Sequence, residues 1–173
     1  MRPALLGALL LALSGCASSH GSVTVSATGR IGPLHLDRSD RDNVIAFAGR
    51  PDAERDGEEF DSVPYRALGY DCSEKSVPER WPLLRRGPYC RTVYFINTRK
   101  GKLGTFFTSS SDYVERHGVR VGMRSAVAER RLHKHLTAGC EENLYLESRA
   151  AALTVAFSGG VTHVTTLDLA GGA

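Results

Sequence analysis

Thiols, imidazoles and carboxylates are the side chains of this chain that could transfer a group, hold a metal or move a proton. The cysteines are Cys16, Cys72, Cys90 and Cys140. A structural zinc site built on them would need C-x2-C or H-x3-H spacing, and neither occurs. His133-Lys134-His135 is the densest imidazole cluster. The surrounding pattern is helical, and residues two apart on a helix point about 200° apart, so one metal ion cannot easily take both rings. Glu58-Glu59 and Glu141-Glu142 are adjacent carboxylates that diverge on a helix or a strand, a poor arrangement for an acid–base dyad. Cys140 precedes Glu141-Glu142, whose negative charge opposes thiolate formation. No G-x-S-x-G, phosphate-binding loop, H-E-x-x-H or dinucleotide fingerprint is present. The sequence therefore assigns no catalytic residue, no metal ligand and no cofactor. An exported hydrolase or wall-modifying enzyme remains the alternative, with a site assembled from distant residues such as His163 and Asp168.

Cys16 has a different setting. Met1-Arg2-Pro3 gives a short positive start, and residues 4–13 are apolar apart from Gly7. A membrane-crossing helix needs about 20 apolar residues. This run is half that and reads as the apolar region of a secretory signal. Leu13-Ser14-Gly15-Cys16 follows directly and resembles a lipobox, an aliphatic residue and two small ones before cysteine. The resemblance implies acylation of the Cys16 thiol, cleavage before it, and a lipid anchor on the outer face of a membrane. Each buried CH₂ of such an anchor adds about 0.8 kcal/mol. Ordinary cleavage near Ala17 and simple secretion is the alternative.

Export places the other cysteines where disulfides persist. Cys72 and Cys90 flank a segment containing Pro78, Pro82 and Pro88, and their pairing is expected, with Cys90–Cys140 as the rival. The other cysteine stays a thiol. Charge is unevenly spread. Residues 37–61 hold nine acids and four arginines, whereas residues 75–102 hold eight bases and one acid. The overall balance is only slightly positive, without the concentrated basic footprint of a nucleic-acid binder. Trp81, Arg85, Arg86 and Tyr89 in the basic segment are candidates for contact with a protein or an anionic envelope partner, since Trp, Tyr and Arg dominate binding hot spots. Tyr94 joins them if its strand face is open.

These residues need elements to position them. Val23 and Val25 alternate with polar residues, as in a strand. Ser39, with Asp42 three residues on, reads as the cap of a helix carrying Val44, Ile45, Phe47 and Ala48 and ending at Gly49-Arg50-Pro51. Residues 52–61 read as an acidic loop. Strands are expected over 63–70, 91–97 and 103–108, the last two joined by a turn with Gly101. A second helix is expected over 125–136, stopped by Gly139, followed by strands over 144–146, 153–157 and 161–169. The order helix-then-strands thus recurs. The expected class is α+β, two tandem helix-plus-antiparallel-sheet repeats. The expected divisions are a signal over 1–15, a tether with the first strand over 16–30, a first repeat over 31–115 and a second over 116–173.

Gly32-Pro33-Leu34-His35-Leu36, the helix ending Gly49-Arg50-Pro51, and Val119-Arg120-Val121-Gly122-Met123 carry a family resemblance. They resemble β-lactamase-inhibitory-protein-like repeats and small outer-membrane assembly lipoproteins of the SmpA/OmlA type. Asp37 departs from that pattern, standing where a glycine is expected. The resemblance implies a non-enzymatic, protein-binding or envelope-assembly module of the cell envelope. The lipid address is testable: Cys16→Ser should move the protein from the membrane fraction to the soluble envelope or medium. Unchanged membrane retention, with no acyl mass on wild-type Cys16, overturns it.

Overall fold

A computed structural model describes residues 21–58, 63–76, 88–135, 143–157 and 163–171. The fold is β-rich, with 55% strand, 13% helix and two sheets. This corrects the α+β expectation of two helix-plus-sheet repeats. The two helices have only eight residues each, too short to form a layer of their own. Strands claim more of the chain than the pattern indicated.

The small sheet is built from β1 (Val23–Ser26), β2 (Arg30–Ile31), β3 (Leu34–His35) and β8 (Tyr113–Glu115), in the order β3-β2-β1-β8. β1 and β8 run parallel, with Val25 opposite Glu115. Gly32 and Asp37 both have positive φ, at 54° and 59°. Asp37, where glycine is the expected residue, does adopt a backbone conformation that glycine would favour.

The large sheet is antiparallel throughout. It comprises β4 (Ala53–Glu58), β5 (Pro64–Ser76), β6 (Pro88–Asn97), β7 (Lys102–Thr108), β9 (Asn143–Glu147), β10 (Ala151–Phe157) and β11 (Val164–Gly171). Their order is β4-β5-β6-β7-β11-β10-β9. The two halves of the chain meet where β7 pairs with β11, Phe106 opposite Leu169.

One face of the large sheet carries Leu68, Tyr94, Ile96, Leu103, Phe106 and Leu169 against the small sheet and helix α1 (Arg41–Ala48), which contributes Val44. Further along that face, helix α2 (Ser125–Leu132) packs Ala128 and Leu132 on Leu144, Val155 and Leu167. The opposite face has a satellite cluster of Tyr65, Ala67, Val93 and Phe95. Burying a side chain of this size stabilises the fold by about 1.5–3 kcal/mol. Because β6 is packed on both faces, the run Thr92–Ile96 is buried throughout and its alternation disappears.

Several local expectations change for identifiable reasons. The cap of α1 is Asp40, not Ser39: Asp40 accepts from the Asn43 amide, and Asn43 Oδ1 accepts from Asp40 N. Ser39 Oγ instead accepts from His35 N, and its carbonyl accepts from Leu103 N. Residues 53–58 form the edge strand β4 rather than a loop. Two of its carboxylates are matched, Asp56 with Arg66 directly opposite and Glu54 with Arg41. Exposed pairs of this kind stabilise by at most about 1 kcal/mol, but a charged edge also discourages pairing with other chains. α2 stops at Leu132, because His133 turns left-handed at φ 53°. His133 and His135 lie exposed beyond the helix.

Cys72 and Cys90 form a disulfide between residues directly opposite each other on β5 and β6. Gly69 lies beneath it: a Cβ there would sit 2.5 Å from Cys90 Sγ, so no side chain fits. The bridge spans a sequence separation of 18. The chain-entropy account gives about 3 kcal/mol for such a loop. Cys72→Ala with Cys90→Ala should therefore lower Tm by roughly 6–12 °C. A non-reducing melt showing no difference between the variant and wild type would contradict this.

Candidate functional site

Aromatic residues separated in sequence converge between α1, the small sheet and the large sheet. Tyr94 is fully buried on β6. Its ring stands edge-on to Tyr70 at 5.6 Å and tilted against Phe106 at 5.1 Å, and Phe106 meets Tyr113 at 5.0 Å. The Tyr94 and Tyr113 hydroxyls share a hydrogen bond of 2.8 Å. Tyr70 donates to the Gly49 carbonyl at the end of α1, 3.1 Å away. Aromatic pairs of this geometry add about 0.5–1.5 kcal/mol each beyond their buried area.

In front of this stack opens a cavity of about 470 Å³. Its walls include the half-buried rings of Phe47, Tyr70 and Tyr113. Asp71, Asp112 and Ser110 supply polar groups, and Gly21 and Val23 bring the start of β1 to the same wall. Regular alternation would send Tyr70 and Asp71 to opposite faces of β5. Asp71 has φ 51°, a left-handed value that breaks the alternation, and both residues line the cavity. Such a conformation costs of order 1–3 kcal/mol outside glycine and is a recognised feature of ligand sites.

The phenols are held neutral. Burial pushes Tyr70 up to about 12, and the nearby Tyr113 phenol, whose ionised form would repel a second phenolate, adds to it. Burial also raises Tyr113 and, more strongly, Tyr94. The carboxylates differ. Asp71 pairs with Arg91 at 3.4 Å. Asp112 is exposed and accepts from the Ser110 hydroxyl at 3.0 Å, with no ion pair among the described residues. No lysine or arginine lines the cavity among the described residues.

The residues singled out from sequence are distributed differently. Tyr94 does not lie on an open sheet face. It is core, and its hydroxyl is spent on Tyr113, so direct partner contact by Tyr94 is corrected. Phe106 and Thr108, on the same face of the neighbouring strand β7, are fully buried too. Tyr89 is half-buried and its hydroxyl lies 2.8 Å from Ser109 Oγ, joining the start of β6 to the segment after β7. Cys16, Trp81, Arg85, Arg86 and Cys140 lie outside the described residues. Phe47, Tyr70, Asp71, Asp112 and Tyr113, which form the cavity, carry no motif. A sequence signal exists in Phe47, on the apolar face of the first helix, and in Tyr70, at the end of an expected strand.

Other chemical groups are committed locally. Glu115, buried on β8, accepts from both His117 Nδ1 at 2.8 Å and His117 N at 2.6 Å, closing a turn. His35 Nδ1 is 2.7 Å from the Leu36 carbonyl oxygen. Among the described residues no group of three His, Cys, Asp or Glu is placed to hold a metal ion, and no helix is long and apolar enough to cross a membrane. No family model, curated protein or solved structure matches the chain.

Asp168 is the most perturbed acid. It lies on β11 between Phe107 and Thr154 on the neighbouring strands. Its Oδ1 and Thr166 Oγ1 are buried without a hydrogen-bond partner of good geometry among the described residues. Burial pushes the carboxyl up to about 7 from 3.8, opposed only by the Thr166 hydroxyl. The unfolded chain thus releases this proton at lower pH than the folded one. Stability conferred by the protonated form is present below about 4 and is lost as pH rises to about 7. Asp168→Asn removes this ionisation. The variant's gain in urea midpoint over wild type should grow between pH 4 and pH 7 and then level off. A difference independent of pH would refute the assignment.

Proposed function

We propose that this chain is an exported, lipid-anchored binding module of the cell envelope, and that the Phe47–Tyr70–Tyr113 cavity is its binding site. The observation that carries the reading is the cavity itself: concave, partly aromatic, with a few convergent polar groups and built on strands. Ligand sites commonly have this character. Asp71, with its left-handed backbone, stands at its wall beside Tyr70.

Position adds support. Gly21 lines the cavity, and it follows Cys16 by five residues. That tether spans at most about 18 Å when extended. A lipid on Cys16 would therefore keep the cavity within a short distance of the membrane surface. The resemblance of residues 32–51 and 119–123 to exported binding repeats favours binding over turnover. The basic segment with Trp81, Arg85 and Arg86 would add a second, salt-sensitive contact to an anionic envelope partner, because screening weakens exposed charge pairs. Two of the described histidines, His35 and His117, are bonded within their own turns rather than turned to the cavity.

The test fills the cavity. Ala48 is a half-buried cavity residue on α1. Full-length protein and Ala48→Trp, melting within a few degrees of each other, are incubated with fractionated envelope lipids and wall fragments. Saturable retention of a component by wild type and its loss in the variant is the expected result. Equal retention by both places binding elsewhere. Turnover of an ester or a wall polymer by the purified protein replaces the binding reading with the hydrolase.

A further inference from the structure

Three features of the cavity converge on one ligand chemistry. The first is the lining of neutral aromatic rings, Phe47, Tyr70 and Tyr113. A ring presents a negative face that attracts a cation, with gains of about 0.5–2 kcal/mol per contact depending on desolvation. The second is the charge at its wall. Asp71 is already partnered by Arg91, whereas Asp112 has only neutral hydrogen-bond partners among the described residues. The cavity therefore carries about one negative charge left for a ligand. The third is its size. About 470 Å³ accommodates a small organic group and is well beyond the needs of a bare metal ion, and no metal-binding cluster stands among the described residues.

We propose that the cavity binds an organic ammonium group, with the rings of Tyr70, Tyr113 and Phe47 against its alkyl substituents and the Asp112 carboxylate as counter-charge. This rests on the cavity being the binding site, as proposed above. An anion would meet Asp112 with no compensating cation in the lining among the described residues. A neutral apolar ligand would leave the Asp112 carboxylate without a counter-charge. The ammonium group has two available sources. One is a free amine. The other is the headgroup of an amine-bearing phospholipid, which a tether of five residues from Cys16 to Gly21 would bring within reach.

The experiment is a ligand-observed NMR titration of the full chain in a non-ionic detergent. The probes are choline, ethanolamine, acetate and dimethylbutanol, the uncharged carbon isostere of choline. Binding of at least one amine, and at least about tenfold weaker binding of the isostere and acetate, is expected. Asp112→Asn, at an exposed position that does not endanger the fold, should weaken amine binding about fivefold. Tyr70→Leu should weaken it about tenfold, whereas Tyr70→Phe, which keeps the ring, should stay within about twofold. Flotation of Cys16→Ser protein separates the sources. Retention on phosphatidylcholine or phosphatidylethanolamine vesicles, but not on phosphatidylglycerol, competed by free choline, identifies the headgroup. Amine binding in solution without such retention identifies a free amine. An isostere that binds as well as choline overturns the ammonium proposal and leaves the cavity as a binding site. Failure of every amine to bind overturns the ammonium proposal as well, whereas loss of the wider reading requires that Ala48→Trp leave envelope retention unchanged.

Discussion

The pairing of β7 with β11 joins strands that lie far apart in the chain, with Phe106 opposite Leu169. It is the contact on which one continuous seven-stranded sheet depends. Closing so long a connection is entropically costly, but that cost grows only slowly with length. The return is a continuous apolar face. Leu68, Tyr94, Phe106, Leu169 and Leu153 form one buried cluster with the small sheet. Neither half could bury that face alone, since each helix covers only two turns. The parallel pairing of β1 with β8 ties the same halves together a second time, on the opposing layer.

The cavity follows from this arrangement. Two layers of unequal width leave a gap where α1 ends, and Phe47 of α1 and Tyr113 of β8 bound it from one side. Tyr94 backs two of its lining rings, bonding to Tyr113 and packing edge-on against Tyr70. The stack is rigid because each phenol is both packed and hydrogen-bonded, and burial keeps all three neutral. Asp71 is the one strained element. Its positive φ in the middle of β5 falls where the chain reaches the cavity wall, and the Cys72–Cys90 bridge follows on the next residue. A disulfide adjacent to a strained residue resists the local opening that would relax it.

Local chemistry was legible in the residues themselves. The Cys72–Cys90 bridge could be expected because the two cysteines bracket a Pro-rich segment in a chain whose start reads as an export signal. The strands over 91–97 and 103–108 and the turn between them were readable because β-branched and aromatic residues dominate both strands. The first helix was readable between its polar cap and Gly49, although the capping residue moved from Ser39 to Asp40. Asp37 marked its own left-handed position by standing where a glycine was expected.

Tertiary structure decided what periodicity cannot encode. Residues 53–58 became a strand by pairing along the whole of their length with β5, although acidic residues and glycine have little strand preference. That strand, and the truncation of α2 at His133, turned an α+β expectation into a β-rich fold. Tyr94 moved from an open face to the core because a second layer covers it, and alternation along one strand does not say which faces will be covered. The cavity lay beyond the reach of sequence altogether. Its rings come from a helix and two strands, and Asp71 joins them only through a backbone angle set by its neighbours. Those neighbours come together through long-range strand pairing, which no local pattern records.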